Sequence, residues 1–321
     1  MKKDIFSLLK KELPGIQKNV PLKNHTTFKM GGPAEYFLMI EKKDDLVDAI
    51  KLAKTLKLAV FVFGGGSNLL VADEGIKGLV IKIYNESDIY VKGNKLIAHA
   101  GVPMSRVVEA SITKSLKGLE WAGGLPGTFG GAIRGNAGAF GSEMKDSITS
   151  VEALDANLKL RKFNHQQCQF GYRTSIFKKK DWIVLSAMAE LKKGVKEELR
   201  SIADSHINYR KEKHPLEYPN AGSIFKNVDV KKVPKKFLPL FLDKIKKDPF
   251  PIVPAAWFII GAGLAGKRFG QVQISKKHSN YMVNLGNAKT KDIIKLIALT
   301  RQEVKKKYSI DLEAEVQYVG K

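Results

Sequence analysis

Apolar residues at Leu46, Ala49, Ile50, Ala53 and Leu56 recur at the spacing of one helix face, which predicts a helix over 44–58. Two continuous apolar runs, 60–63 and 79–83, are short enough to be strands. Pro103 suits the first turn of a second helix reaching about 116, because proline has no N–H to lose there. A glycine-dense stretch, 123–141, reads as one long functional loop. Strands are expected at 148–154 and 182–191, with a loop around Tyr172 between them. A helix over 196–213 then hands over to a new region, which places a domain boundary at 195/196. Beyond it, 229–253 looks like an inserted, lysine- and proline-rich surface element. Thr290 is placed to cap a last helix with the stripe Ile293, Ile294, Ile297 and Val304, and 311–319 reads as a closing strand. Strands and helices without steady βαβ alternation predict an α+β fold.

Composition narrows the class. At 321 residues the chain can hold two or three cores, and no segment approaches the ~20 apolar residues of a membrane span. The N-terminus, from Met1 to Phe6, lacks the apolar stretch of a signal peptide. Cys168 is the sole cysteine, so neither a disulfide framework nor a multi-cysteine metal site is available, and a cytoplasmic location is expected. Net charge is +23, but the lysines fall in short runs without interleaved aromatics. They read as a solvated face, with no specific nucleic-acid site, metal site or membrane insertion expected.

The chemistry starts at Gly64, Gly65, Gly66, Ser67, Asn68 and Leu69, directly after the first short strand. Contiguous glycines let several N–H groups converge on one spot, the geometry that holds phosphate oxygens. A glycine-rich hairpin is the other reading of this stretch taken alone. No Gly-Lys-Ser/Thr follows, so it is not a P-loop. A formal G-x-G-x-x-G does occur at 261–266, but Gly270 and the alternation Val272, Ile274 follow it instead of a helix. No acidic residue lies between Asp248 and Asp292, so a Rossmann site is set aside.

Further motifs then appear in order: Asn24-His25-Thr26-Thr27-Phe28; the loop from Gly123 through Pro126, Gly127, Thr128 and Gly131 to Asn136, Ala137 and Gly138; Gly171-Tyr172-Arg173-Thr174-Ser175; Asn220-Ala221-Gly222-Ser223-Ile224-Phe225-Lys226-Asn227; and Leu312-Glu313-Ala314-Glu315. In this order, over nearly the whole chain, they resemble the bacterial UDP-N-acetylenolpyruvoylglucosamine reductases. The 50 positions from Arg173 to Ser223 resemble the shorter subtype, which lacks an extra substrate loop.

The resemblance implies a two-part FAD-binding region of the vanillyl-alcohol-oxidase-like kind over 1–195, with subdomains at about 20–84 and 85–195. A substrate domain over 196–321 would follow. It implies non-covalent FAD on Gly64 to Leu69, Pro126 to Thr128, Gly131 and Asn136 to Gly138. NADPH would be the hydride donor and the enolpyruvyl ether of UDP-N-acetylglucosamine the acceptor, in a monomer or weak dimer. Arg173, Ser223 and Glu315 match the catalytic positions: a cation for the developing enediolate, the proton donor, and a carboxyl group expected to be protonated or to act through hydrogen bonds. Tyr172, Lys226, Asn227 and His278 match substrate contacts. Another FAD oxidoreductase of the same superfamily, acting on a different substrate, is the alternative.

Overall fold

The computed structural model describes residues 5–320, so residues 1–4 of the N-terminal segment read above lie outside it. The chain divides into two compact units. One takes the chain up to Val20, Ala34–Gly65 and Lys77–Asn208; the other takes Pro21–Pro33, Gly66–Ile76 and the chain from Tyr209 onward.

The first unit has two cores. In one, the helix Lys43–Thr55 buries Leu46, Ala49, Ile50 and Ala53. They cluster with Tyr36, Leu38, Leu79 and Ile81 of a four-stranded sheet ordered Gln17–Pro21, Pro33–Ile40, Ile76–Ile83, Val60–Phe63. The last two strands are parallel. In the other core, a five-stranded antiparallel sheet runs Leu160–Asn164, Ile148–Leu154, Ile183–Glu190, Lys95–His99, Ile89–Lys92. The helix Met104–Thr113, preceded by Pro103, packs in this core. Cys168 is fully buried in it, and burial pushes its thiol up to about 12, so it serves packing.

The first unit departs from the sequence expectation at two places. The stretch 123–141 is not one loop: it contains the helix Phe129–Gly135, whose Phe129 and Ile133 are fully buried. Thr128 caps that helix by accepting the Gly131 N–H at 3.4 Å, so local capping and burial override the low helix propensity of three glycines. The helix Lys196–Lys213 forms as expected, but its Leu199 and Ala203 are buried in this core. The first unit therefore extends to Asn208, past the boundary expected at 195/196.

The second unit is built on an antiparallel sheet ordered Asn220–Ser223, Tyr281–Asn284, Val272–Ile274, Arg268–Phe269, with the helices Ala255–Gly261 and Thr290–Tyr308. Thr290 opens the last helix but does not cap it. Its hydroxyl donates to the Val71 carbonyl at 2.6 Å. The N–H groups of Thr290 and Lys291 donate to the two carboxylate oxygens of Asp73 at 2.9 and 3.1 Å. A carboxylate at this end also meets the positive pole of the helix dipole. The buried stripe includes Leu296, while Ile294 is 40% exposed.

Only Gln317–Val319 of the expected closing strand is regular, and it pairs in parallel with Leu69–Val71. The residues before it give their backbone groups to 224–226 instead. Residues 229–253 form an excursion closed by Val228–Asp229 against Ile252–Val253. The glycines at 261–266 end one helix and lead through a turn into the strand Arg268–Phe269, as the missing Rossmann features require.

Candidate active site

The chain passes from the first unit to the second inside the glycine triplet, between Gly65 and Gly66. In the first unit, a Cβ on Gly65 would meet the Gly127 Cα at 2.6 Å, so the glycine loop and the 126–128 loop touch backbone to backbone. Only glycine permits that approach. Among the described residues, none of the N–H groups of Gly64 to Asn68 donates to a protein acceptor. A short run of free backbone donors on a partly exposed loop fits the diphosphate of a dinucleotide, so the residues present suit FAD. Thr128 and Gly131 shape the neighbouring helix start, and Pro126 is exposed at the loop tip. Asn136 has no exposed surface. Its amide donates to the Gly171 carbonyl at 3.0 Å and to Glu143 Oε2 at 3.3 Å, and its oxygen accepts the Lys145 N–H at 3.0 Å. Its part in the site is therefore to hold the backbone of Ala137 and Gly138.

Arg173 sits in the same unit, in left-handed backbone conformation at φ 55°. Lys178 Nζ donates to its carbonyl at 3.1 Å, and Gly171 and Thr174 bridge around it. The guanidinium donates from Nη2 to the Gly138 carbonyl at 2.8 Å and lies 5.0 Å from the Tyr172 ring centre. Nη1 is 3.8 Å from Glu143 Oε1. Glu143 is a residue the sequence reading missed. Its side chain is 5% exposed, Lys145 Nζ binds Oε2 at 2.8 Å, and Oε1 has no hydrogen bond of its own. The buried carboxylate therefore faces Arg173 and fixes the position of its charge. Glu143→Gln keeps the shape and removes the charge. We expect it to lower turnover about tenfold with flavin content unchanged, the scale of one charge-assisted contact. Steady-state kinetics beside flavin absorbance would check it; wild-type turnover would mean that Arg173 needs no such anchor.

In the second unit the remaining residues meet through the backbone. Gly222, at φ 75°, lets the strand Asn220–Ser223 shift register before Ser223 pairs with Tyr281. Such bulges re-aim side chains at functional sites. Glu315 N–H donates to the Ile224 carbonyl at 2.7 Å, and Ile224 N–H donates to the Asn280 carbonyl at 2.8 Å. Ser223 and Glu315, 92 positions apart in the chain (315 − 223), are thus held by adjacent backbone. Asn68 joins them by donating its amide to the Glu315 carbonyl at 3.1 Å. Lys226 is paired with the Glu313 carboxylate. The Asn227 oxygen accepts the Ala255 N–H at 3.2 Å, which opens the helix Ala255–Gly261.

His278 does not stand on the surface with its lysine neighbours. Its ring is 4.8 Å from Tyr281 and 5.5 Å from His214, and Tyr281 Oη lies 3.1 Å from His214 Nδ1. Burial pushes Tyr281 up to about 12. Burial, then the charges of His278, Arg210 and two lysines, pushes His214 down to about 4. At neutral pH His214 is uncharged, and its Nδ1 shares a hydrogen bond with the Tyr281 hydroxyl. Arg210, 8% exposed, adds a charge that acts on this pair, a group that sequence reasoning missed.

The shift has a consequence for stability. The folded state resists protonating His214, so its contribution is present above pH 6.5 and is lost as pH falls toward 4. The full shift would correspond to about 3 kcal/mol. Partial solvent exposure reduces this to about 1–2 kcal/mol. Urea midpoints should fall between pH 7 and pH 4.5, and the fall should be smaller in His214→Gln.

Comparison with known proteins gives this geometry its class. Residues 34–164 match an FAD binding domain family, and residues 214–319 match the UDP-N-acetylenolpyruvoylglucosamine reductase C-terminal domain family. The fold and the site define an FAD-dependent oxidoreductase, an FAD-binding domain joined to an α+β C-terminal domain. The chain is 40% identical over 301 residues to the UDP-N-acetylenolpyruvoylglucosamine reductase of Alkaliphilus oremlandii, covering 94% of this chain and 92% of that one. It is 39% identical over 302 residues to the reductase of the same name from Caldanaerobacter subterraneus, covering 94% and 93%. The crystal structure of UDP-N-acetylenolpyruvylglucosamine reductase from Thermus caldophilus superposes with a TM-score of 0.74 at 30% identity, covering 95% of this chain and all of that one. The chain belongs to the UDP-N-acetylenolpyruvoylglucosamine reductase family.

Proposed function

We propose that the protein reduces the enolpyruvyl group of UDP-N-acetylglucosamine-enolpyruvate to give UDP-N-acetylmuramate, with NADPH as electron source, in the cytoplasmic stage of peptidoglycan precursor synthesis. The observation that carries this reading is the backbone network holding Ser223 beside Glu315, on a chain that keeps the Arg173 motif. FAD held on the Gly64 to Asn68 loop would supply hydride for the terminal alkene carbon. Negative charge then moves toward the substrate carboxylate, where the Arg173 guanidinium stabilises it. The Ser223 hydroxyl delivers a proton to the carbon bearing that carboxylate, which completes the addition of H–H across the double bond.

Glu315, half-buried, serves this end of the substrate through hydrogen bonds. Tyr172 carries the Arg173 cation on its ring face. Lys226, Asn227 and His278, the last within its histidine–tyrosine group, contact the nucleotide sugar. An anaerobic titration tests the proposal. NADPH should bleach the flavin and the enolpyruvyl nucleotide sugar should restore the oxidised spectrum. Bleaching without recovery would mean a different acceptor.

A further inference from the structure

The excursion 229–253 carries an exposed apolar surface. Phe241 is buried 4.5 Å from the Phe258 ring and 5.5 Å from Tyr308, which pins the 3-10 helix Leu238–Lys244 onto the helix Ala255–Gly261. The residues on either side of Phe241 go the other way: Leu240 is 62% and Leu242 61% exposed. On the helix that Phe241 packs against, Trp257 and Ile260 are 37% and 44% exposed. Two lysines stand beside the helix that carries Trp257 and Ile260, one of them, Lys244, also paired with the Asp243 carboxylate. Lys244 Nζ lies 4.6 Å from the Trp257 ring centre, and Lys307 donates to the Gly261 carbonyl next to Ile260. From 229 to 248 the chain has seven lysines against three aspartates.

We propose that this face docks on an anionic lipid surface. Exposed leucines and an indole with a lysine over its ring, on a lysine-rich excursion, match the boundary between acyl chains and negative headgroups. The apolar tips enter the boundary while the ammonium groups stay at headgroup level. Each lysine near such a surface adds attraction, and the chain's +23 charge strengthens the approach. A second copy of the chain would set lysine against lysine. A nucleic acid would satisfy the lysines but leave Leu240 and Leu242 in water. The charge and the apolar tips together select lipid. The docking is peripheral, since no helix among the described residues is long and apolar enough to cross a membrane.

The test uses the full FAD-loaded chain, sedimented with vesicles of phosphatidylcholine alone or with about 30% phosphatidylglycerol, at about 0.1 M salt. Retention is expected on the anionic vesicles only, and it should weaken at about 0.5 M salt. Leu240→Ser with Leu242→Ser should lower the affinity about fivefold or more while flavin absorbance and turnover stay unchanged. Lys235→Glu with Lys236→Glu should lower it at least about tenfold. Absence of retention on anionic vesicles overturns the proposal. Undiminished binding by the double-leucine variant also overturns it, because the charge of the whole molecule, and not this face, would then be responsible. Tighter binding to an RNA duplex, unaffected by the leucine changes, would assign the face to nucleic acid instead.

Discussion

Ser223→Ala is expected to leave reduction of the flavin by NADPH unchanged and to slow its reoxidation by the enolpyruvyl nucleotide sugar about 10²–10⁴-fold, the range for losing a positioned proton donor. The substitution removes one hydroxyl and leaves the backbone that places it: the pairing with Tyr281 and the Ile224 bonds to Asn280 and Glu315 involve no side-chain atom of Ser223. Lys226 is not a ready substitute, because its ammonium is committed to the Glu313 carboxylate. Rapid mixing of each half-reaction under anaerobic conditions separates the two steps. If reoxidation stays within about twofold of wild type, Ser223 is not the donor, and Glu315 becomes the residue to replace.

Arg173→Lys should cost about 10²–10³ in the same step while FAD stays bound, the scale of losing one preorganised group that stabilises developing charge. Lysine keeps the charge but loses the fork. One guanidinium nitrogen holds the Gly138 carbonyl while another faces Glu143, and the plane lies over Tyr172. An ammonium cannot satisfy all three. The comparison with Glu143→Gln is informative: loss of the anchor should cost less than loss of the cation, and the double variant should fall well short of the product of the two. Full additivity, measured as turnover across the four proteins, would mean that the two residues act independently.

The helix expected over 44–58, observed as Lys43–Thr55, was legible because it buries one face, and burial of one face writes a period into the sequence. The site motifs were legible because their residue types are unusual and ordered. What stayed hidden depends on partners distant in the chain. The cap of the last helix comes from Asp73, 217 positions before Thr290, so no local rule could find it and the nearest hydroxyl was taken instead. Glu143 lies in a short hairpin 30 positions before Arg173 (173 − 143), and only the folded hairpin turns its carboxylate inward. The unit boundary was missed for a related reason. Leu199 and Ala203 show that the helix Lys196–Lys213 has a buried face, but not which core receives it.

The second unit is assembled from three stretches of chain, and one of its pairings joins Leu69–Val71 to Gln317–Val319 across 248 positions (317 − 69). On the ribosome, the early stretches 21–33 and 66–76 must wait for the chain from 209 to 319 to be made before their partners exist. The first core, closed by residues before about 190, can form long before that. Synthesis would thus expose Phe28, Met30 and Leu70, all destined for the second core, until those later residues emerge. Deleting Gln317–Val319 would remove the strand that pairs with Leu69–Val71, so that deletion should produce aggregation more readily than loss of a comparable length from a surface loop.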